Sequence, residues 1–590
     1  MQLCKVGTLG MAQSLAITRR GLIGSGGALA LANLSPRAWA AVLDPSPTLI
    51  LRNARIHTLD PAVPEADAIA LSGSRIVGVG KWDDLKTLVT ARTQVIDVGG
   101  QTIVPGFNDA HLHAVGEMLL ESVLVGNPFE VEFFTIDRII ALLKERAAKT
   151  PPGALVAGEF YDDTKIKDGR PLTMADLDRV STEHPVIVTH RGGHTYVVNS
   201  FALKLGGITR DTHDPFGGTY DRDGNGNLTG RVTDLAIAPI EAKTKEPDLT
   251  AEQMRARALA GAARISAEFV RYGLTSVCHT APGLVAAGTS IADDFGALQQ
   301  LRREGKLLHR VTYETSGSFL DAMIANGMRT GLGDEWIRLG ATAEQFSDGS
   351  FSERTMSRAT PYPGRTPPYY GNLMQTQDSL NALVEKQMRA GIQPNFHANG
   401  DVAIAMVLTA YERGTKLLGP ADRRPKITHC TNVSPETAQR IKALGAVPAL
   451  FTSYAYYNAD KFHFYGPEMM EHMMAFRTLI DAGVPVCAGS DFPPGPFAPL
   501  MGLQGMVTRK GWNGEVWGPS QKIKVREGLK VLTANGAYAS FEEDLKGTLS
   551  VGKLADMVLL DADPTAIDPE KIKDIRVQQT IVGGEARYKA

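Results

Sequence analysis

The sequence predicts an α/β fold, a (β/α)8 TIM barrel carrying a small β-sandwich formed by both chain ends and an insertion over the barrel mouth. Three observations predict it. Apolar strand-length runs alternate with helical patterns through the middle of the chain, those runs end on polar, metal-capable residues, and both ends share a texture of short strands separated by turns. A length of 590 residues, 43% of them hydrophobic, gives room for more than one core and excludes a single small module. The formal net charge of −2, with no long run of either sign, offers nothing to nucleic acid or to an anionic membrane. A small molecule is the expected substrate; a homo-oligomer stays open.

Residues 1–40 read as an export signal. Thr18-Arg19-Arg20-Gly21-Leu22-Ile23, the small apolar stretch from Gly24 to Ala32, and Ala38-Trp39-Ala40 supply the basic region, apolar core and cleavage site. The arginine pair resembles a twin-arginine leader, which exports folded proteins, so a bacterial periplasmic location is expected. The apolar part is too short and glycine-rich for a stable membrane anchor. Cys278, Cys430 and Cys487 lie in apolar strand-like segments without CxxC spacing and are expected to be buried core residues.

Residues 41–104 hold short strands at Leu49 to Ile56, Ala68 to Leu71 and Arg75 to Gly80, and residues 545–590 repeat that texture at Ala555 to Asp561 and Val577 to Gly584. Each segment is too small to fold alone, so the two are expected to complete one β domain. Between them, residues 105–544 carry eight candidate barrel strands: Ile103 to His113, Leu274 to His279, His309 to Glu314, Ile337 to Phe346, Gln393 to His397, Lys426 to Cys430, Ala446 to Phe451 and Val484 to Asp491. A doubly wound open sheet is the alternative, but no Gly-rich phosphate loop follows any of these runs. A stretch at about 126–234, rich in turns and containing Gly193-His194, breaks the rhythm and is expected to lie over the mouth as a lid.

The chemistry starts at His111-Leu112-His113. Residues two apart on a strand share a face, so both imidazoles can reach one cation. His397, His429 and Asp491 end later strands, where a barrel points side chains into its mouth. Four histidines with a carboxylate suit Zn²⁺ or a similar divalent cation.

Pro105-Gly106-Phe107-Asn108-Asp109-Ala110-His111-Leu112-His113, Gly193-His194 to Asn199-Ser200, Phe346-Ser347-Asp348-Gly349-Ser350, His397-Ala398-Asn399-Gly400-Asp401, Gly489-Ser490-Asp491-Phe492-Pro493 and Lys546 to Asp556 occur in one order along the chain. With them the sequence resembles the amidohydrolase superfamily, in its branch of N-substituted formamide deformylase-like, YtcJ-like and exoenzyme-regulator-like proteins. The resemblance implies that His111 and His113 hold one metal, that His397 and His429 hold a second, and that Asp491 sits on the first while serving as base. It also implies hydrolysis of a carbon–nitrogen amide bond, N-acyl or N-formyl, by metal-activated water, with His194 or the second metal polarising the carbonyl.

One position departs from the branch. A carboxylated lysine is expected four residues before the aspartate of F-x-D-G-S, but counting back from Asp348 gives Glu344. Glutamate brings its own carboxylate on a side chain about three atoms shorter. It can bridge two metals, bind one, or merely form a salt bridge, so one or two ions are expected. The runs Phe451 to Tyr457 and Phe462 to Tyr465 form an aromatic wall at the mouth if the barrel assignment holds; packing of a long loop is the alternative. His279 is either a support behind the ligands or structural. A ligand-binding or regulatory relative of weak or absent activity is the second functional reading, favoured by Glu344 and opposed by Asp491; a cyclic-amide hydrolase, a deaminase or an ester hydrolase also fits the activated water.

Overall fold

The computed structural model describes residues 46–244, 249–280 and 291–590. The expected export signal at 1–40 lies outside them. Two parallel sheets occupy the centre of a mixed α/β fold. One runs Ile337–Thr342, Arg310–Thr315, Leu274–Thr280, Phe107–Leu112; the other runs Gln345–Phe346, Asn395–Ala398, Lys426–His429, Val447–Phe451, Cys487–Gly489. Strands such as Leu274–Thr280 and Val447–Phe451 are buried at every residue, which is why they read as unbroken apolar runs rather than alternating ones.

Helices separate successive strands. Ala251–Arg271 starts at Thr250, whose hydroxyl accepts from the Gln253 amide in a capping box, and buries Ala258, Ala262, Ile265 and Phe269 at helical spacing. Pro435–Leu444 begins with Ser434 as cap and Pro435 in its first turn, and stops at Gly445, whose φ of 60° suits glycine.

Two expected strands are each divided in two. Ile103 to His113 breaks at Gly106: Thr102–Pro105 joins the sheet of the chain ends, while Phe107–Leu112 joins the parallel set. A Cβ at Gly106 would lie 2.0 Å from Thr275 Oγ1, so only glycine permits the handover. Ile337 to Phe346 breaks at Ala343-Glu344. Ile337–Thr342 pairs with Arg310–Thr315, and Gln345–Phe346 pairs with Asn395–Ala398. Hydrogen bonds join the edges of the two parallel sheets at both sides, from Thr342 N to Gln393 O (2.9 Å) and from Asp491 N to His111 O (2.9 Å).

Both chain ends enter one sheet, ordered Glu585–Lys589, Val577–Val582, Met557–Leu560, Thr102–Pro105, Leu49–His57, Glu65–Ser72, Arg75–Gly80, with Gln94–Asp97 paired to Leu49–His57. Its core joins Ile56, Ile69 and Ile103 to Met557 and Ile581. A fourth, six-stranded sheet draws its strands from the span between Val123–Leu124 and Leu228–Thr233, matching the stretch that broke the βα rhythm. Cys278, Cys430 and Cys487 are buried free thiols, as expected.

Arg310, in a parallel strand, fastens the centre to the terminal sheet. Its buried guanidinium grips Asp556 through Nε (2.7 Å) and Nη2 (2.9 Å). Removing one partner of such a pair strands a buried charge and costs about 3–5 kcal/mol. Asp556→Ala should therefore lower the thermal midpoint by several degrees in calorimetry. An unchanged midpoint would show that this pair does not hold the sheets together.

Candidate metal centre

His111 lies in the strand Phe107–Leu112 and His113 just beyond it; His397 and His429 lie in Asn395–Ala398 and Lys426–His429; Asp491 follows Cys487–Gly489. All converge with Glu344. Close approach is bought at Gly489, where a Cβ would stand 2.6 Å from the His111 carbonyl oxygen. His429 and Asp491 adopt left-handed backbone angles, φ 70° and 56°. Non-glycine residues in that region carry strain of about 1–3 kcal/mol, which the surroundings must over-determine.

The break in the fourth strand sets Glu344 at the middle of the group. Its Oε1 lies 3.3 Å from His111 Nε2 and 3.1 Å from His113 Nε2. Its Oε2 lies 3.3 Å from His397 Nδ1 and 3.2 Å from His429 Nε2. Asp491 Oδ1 lies 3.2 Å from His111 Nε2 and 3.5 Å from His113 Nε2, while Oδ2 faces His429 at 4.0 Å. Two donor sets follow, His111, His113, Glu344 and Asp491 in one, Glu344, His397 and His429 in the other, with the atoms of each set within 4.8 Å of one another. Glu344 belongs to both.

The outward nitrogens decide what the inward ones can do. Thr280 Oγ1 gives its proton to Glu314 (2.9 Å), so it accepts from His111 Nδ1 (3.1 Å). The Thr280 and Gly349 carbonyls can only accept, and they face His113 Nδ1 (3.2 Å) and His397 Nε2 (3.1 Å). His111 and His113 thus spend an N–H outward and turn Nε2 toward the carboxylates, while His397 Nε2 lies between the Gly349 carbonyl and the Asn399 amide nitrogen (2.9 Å) and its Nδ1 faces Glu344. His111 Nε2, His397 Nδ1 and Glu344 Oε2 are buried without a hydrogen-bond partner. Orphaned, convergent nitrogen and oxygen donors are what a divalent cation such as Zn²⁺ requires, so the residues fit the expected group.

Several supports carried no signal of their own in the sequence. Asp109 accepts from the His111 and Ser490 amides (3.1 and 3.0 Å), tying two ligand strands together. Asp348 accepts from the amides of Asn399, Gly400 and Ser357. Lys426, a lysine inside the parallel strands, is spent on Glu314 (2.7 Å) and the Ala110 carbonyl (2.6 Å) and does not stand in for the lysine replaced by Glu344. His279, by contrast, was singled out in the sequence as a support or a structural residue; it accepts from the Ala114 amide (3.0 Å) and meets Asp294 (2.7 Å), one step behind His113. Asp109 and Asp348 were visible only as members of motifs.

A cavity of about 330 Å³ opens on His113, Glu344, His397, His429 and Asp491 and on residues of the insertion, Glu159, Thr189 and His194 among them. His194 is oriented by Asp234 (Nδ1 to Oδ1, 2.7 Å), which Asn372 holds in turn (2.6 Å). The expected aromatic wall is absent from this lining. Phe451 and Tyr454 stack on each other (3.6 Å) and Phe451 on His429 (4.4 Å); Phe462 and Tyr465 pack on Phe351, because the loop turns its rings into the core. Tyr454 still reaches Asp491 Oδ2, at 3.4 Å. Val115, Met118, Leu235, Phe346, Met374 and Pro493 supply the apolar walls instead.

A further group, Asp162, Asp163 and His190, has metal-like spacing. Its charge is already matched, by Lys165 (3.0 Å) and Lys461 (3.1 Å) on Asp162 and by Arg354 on Asp163. It is a salt-bridge network.

Burial lowers the proton affinity of His111 and His113, yet Glu344 and Asp491 outweigh it and raise them to about 9 and about 10. Burial opposes ionisation of Glu344 and Asp491 too, and the imidazoles override it, holding both carboxyls below their ordinary range. Protons occupy the cation's place, and ligand imidazoles must shed them on binding. Cation uptake by metal-free protein at pH 7.5 should release protons, with affinity rising as pH rises toward 9; titration calorimetry in buffers of different ionisation heat would read it. Glu344→Gln should at least halve the bound metal measured by elemental analysis. Full metal content in that variant would return Glu344 to a structural role.

The chain matches the model of the amidohydrolase family over residues 94–588. It is 29% identical over 549 residues to the Bacillus subtilis protein named as amidohydrolase YtcJ, covering 90% of this chain and 98% of that one. It is 26% identical to N-substituted formamide deformylase of Arthrobacter pascens, over 92% of this chain and 98% of the relative. Among solved structures, a metal-dependent hydrolase from Pyrococcus horikoshii shares the fold with a TM-score of 0.66 at 22% identity, over 88% of this chain and 99% of that one. All six converging donors fall inside the matched span, and the chain belongs to the amidohydrolase family.

Proposed function

We propose that this protein is a metal-dependent hydrolase that cleaves a carbon–nitrogen amide bond, of N-acyl or N-formyl type, in a small hydrophobic compound. The observation that carries the proposal is Glu344, with one carboxylate oxygen toward His111 and His113 and the other toward His397 and His429. The relative that acts on N-substituted formamides supports the bond type, and the apolar cavity walls support the substrate's character. The two parallel sheets, hydrogen-bonded at both edges, read as one (β/α)8 barrel, closed by the sheet of the chain ends and covered by the insertion at about 126–234. Export to the periplasm through Arg19-Arg20 and the following apolar stretch belongs to the same proposal.

His111, His113 and Asp491 would hold one cation, His397 and His429 a second, and Glu344 would bridge them. When bound, such cations acidify water and polarise a carbonyl. Asp491 has Oδ1 toward the histidine pair and Oδ2 toward Tyr454, on the cavity side. It takes a proton from the attacking water as the carbon–oxygen bond forms, and returns that proton to the departing nitrogen as the carbon–nitrogen bond breaks. Burial disfavours a charged His194, but Asp234 outweighs it and raises the imidazole to about 9. With Nδ1 on Asp234, its Nε2–H is left to donate to the carbonyl oxygen as negative charge builds there.

A screen of N-acyl and N-formyl arylamines with metal-loaded protein should find turnover that chelation abolishes and Zn²⁺ restores. Asp491→Asn should lower kcat by about 10²–10⁴-fold, the range of a general base. Full activity after complete metal removal, or an unchanged rate in Asp491→Asn, would overturn the mechanism.

A further inference from the structure

Glu159 lies on the insertion's strand Val156–Tyr161, away from the strands that carry the metal donors, and lines the same cavity. Parallel pairing sets it beside Leu124 on one side, and Ala157↔Ile187 and Gly158↔Val188 bring Thr189 alongside on the other. The one hydrogen bond of its half-buried carboxyl among the described residues is a long one, from Thr189 Oγ1 to Oε1 at 3.4 Å.

Several carboxylates nearby have a cationic or imidazole partner. Asp162 has Lys165 and Lys461, Asp163 has Arg354, Glu353 has His190, Asp234 has His194, and Glu314 has Lys426. Glu159 has none among the described residues. Arg191 lines the cavity too, but its donors are spent on the carbonyls of Pro494 (2.8 Å), Asn127 (3.1 Å) and Pro493 (3.0 Å) and on the Tyr457 hydroxyl. A carboxylate without a counter-charge among apolar walls is costly, so it takes up a proton unless a cation brought into the cavity completes it.

We infer that Glu159 is the specificity-determining carboxylate of this cavity, and that the substrate carries a cationic nitrogen group, such as an ammonium or amidinium, away from the amide that is cleaved. The inference rests on the hydrolase reading for the word substrate alone; the cation pocket itself does not depend on turnover. Desolvation pushes the Glu159 carboxyl up to about 8 against the Thr189 hydrogen bond, so near neutral pH it holds a proton that an arriving cation displaces. A cation seated against Oε2 supplies the missing partner, and the Thr189 hydroxyl fixes Oε1 so that the charge faces the cavity. The ligand class is then a hydrophobic amide with a second, charged nitrogen, rather than a wholly apolar one.

The test is calorimetric binding of benzamidinium and of neutral benzamide, planar molecules of the same size, to the metal-loaded protein. Wild type should bind benzamidinium at least tenfold more tightly. Glu159→Gln should lose at least tenfold for benzamidinium while benzamide stays within twofold, and Glu159→Asp, which keeps the charge on a shorter arm, should lose less. Thermal denaturation establishes that both variants are folded; if Glu159→Gln is not, the comparison rests on Glu159→Asp, which should then show a loss of at least threefold for benzamidinium alone. Equal binding of the two probes by wild type, or benzamidinium affinity unmoved by the substitutions, would overturn the inference. Failure of the hydrolase reading would show elsewhere, as no turnover of any amide, with the binding comparison still decisive.

Discussion

Glu344 sits between four imidazoles, and the geometry around it depends on keeping that carboxylate there. Buried between carboxylates and histidines with no other hydrogen bond for Oε2, it is stable only where several positive or proton-bearing groups converge. The fold provides this by breaking the fourth parallel strand at Ala343-Glu344, so that the residue before the break pairs one way and the residue after it pairs the other. An unbroken strand would alternate side chains across the sheet and would not hand one residue to both halves.

A second layer fixes what the first can do. Thr280 alone orients two histidines, one through its hydroxyl and one through its carbonyl, and Glu314 settles the direction of the hydroxyl proton. Asp109 locks the strand of His111 to the strand of Asp491 through backbone amides. These groups act through the donors they hold, turning the outward nitrogens of His111 and His113 away and fixing the strand end that leads into the left-handed Asp491. The insertion contributes differently: it brings a histidine with its own carboxylate, His194 and Asp234, and a carboxyl with no cationic partner among the described residues, Glu159, to a cavity whose other wall belongs to the parallel strands.

Much of this was legible along the chain. Parallel strands buried on both faces read as continuous apolar runs, so their positions and order could be counted, and the polar residue ending each run marked His111, His113, His397, His429 and Asp491. The two divided strands were not legible. Gly106 lies between residues buried in one sheet or the other, so hydrophobicity does not change there, and the Ala343-Glu344 step reads as the polar end of one run, not as a change of pairing partner. The aromatic run from Phe451 to Tyr465 misled for a related reason: composition says that rings will be buried, but not against which neighbour.

By itself the sequence determined the α/β class and the positions of the strands, and it marked His111, His113, His397, His429 and Asp491 as candidate donors, since these follow from periodicity and from which side chains can bind a cation; Glu344 came from the family motif alone, with its role open. Only the tertiary structure decided that Glu344 reaches both histidine pairs, that Thr280, Asp109 and Asp348 hold them, and that Glu159 faces the cavity without a counter-charge. These are distances between residues far apart in the chain. They are set where two sheets exchange a strand and where an insertion meets the strand ends, and no local pattern encodes such a meeting.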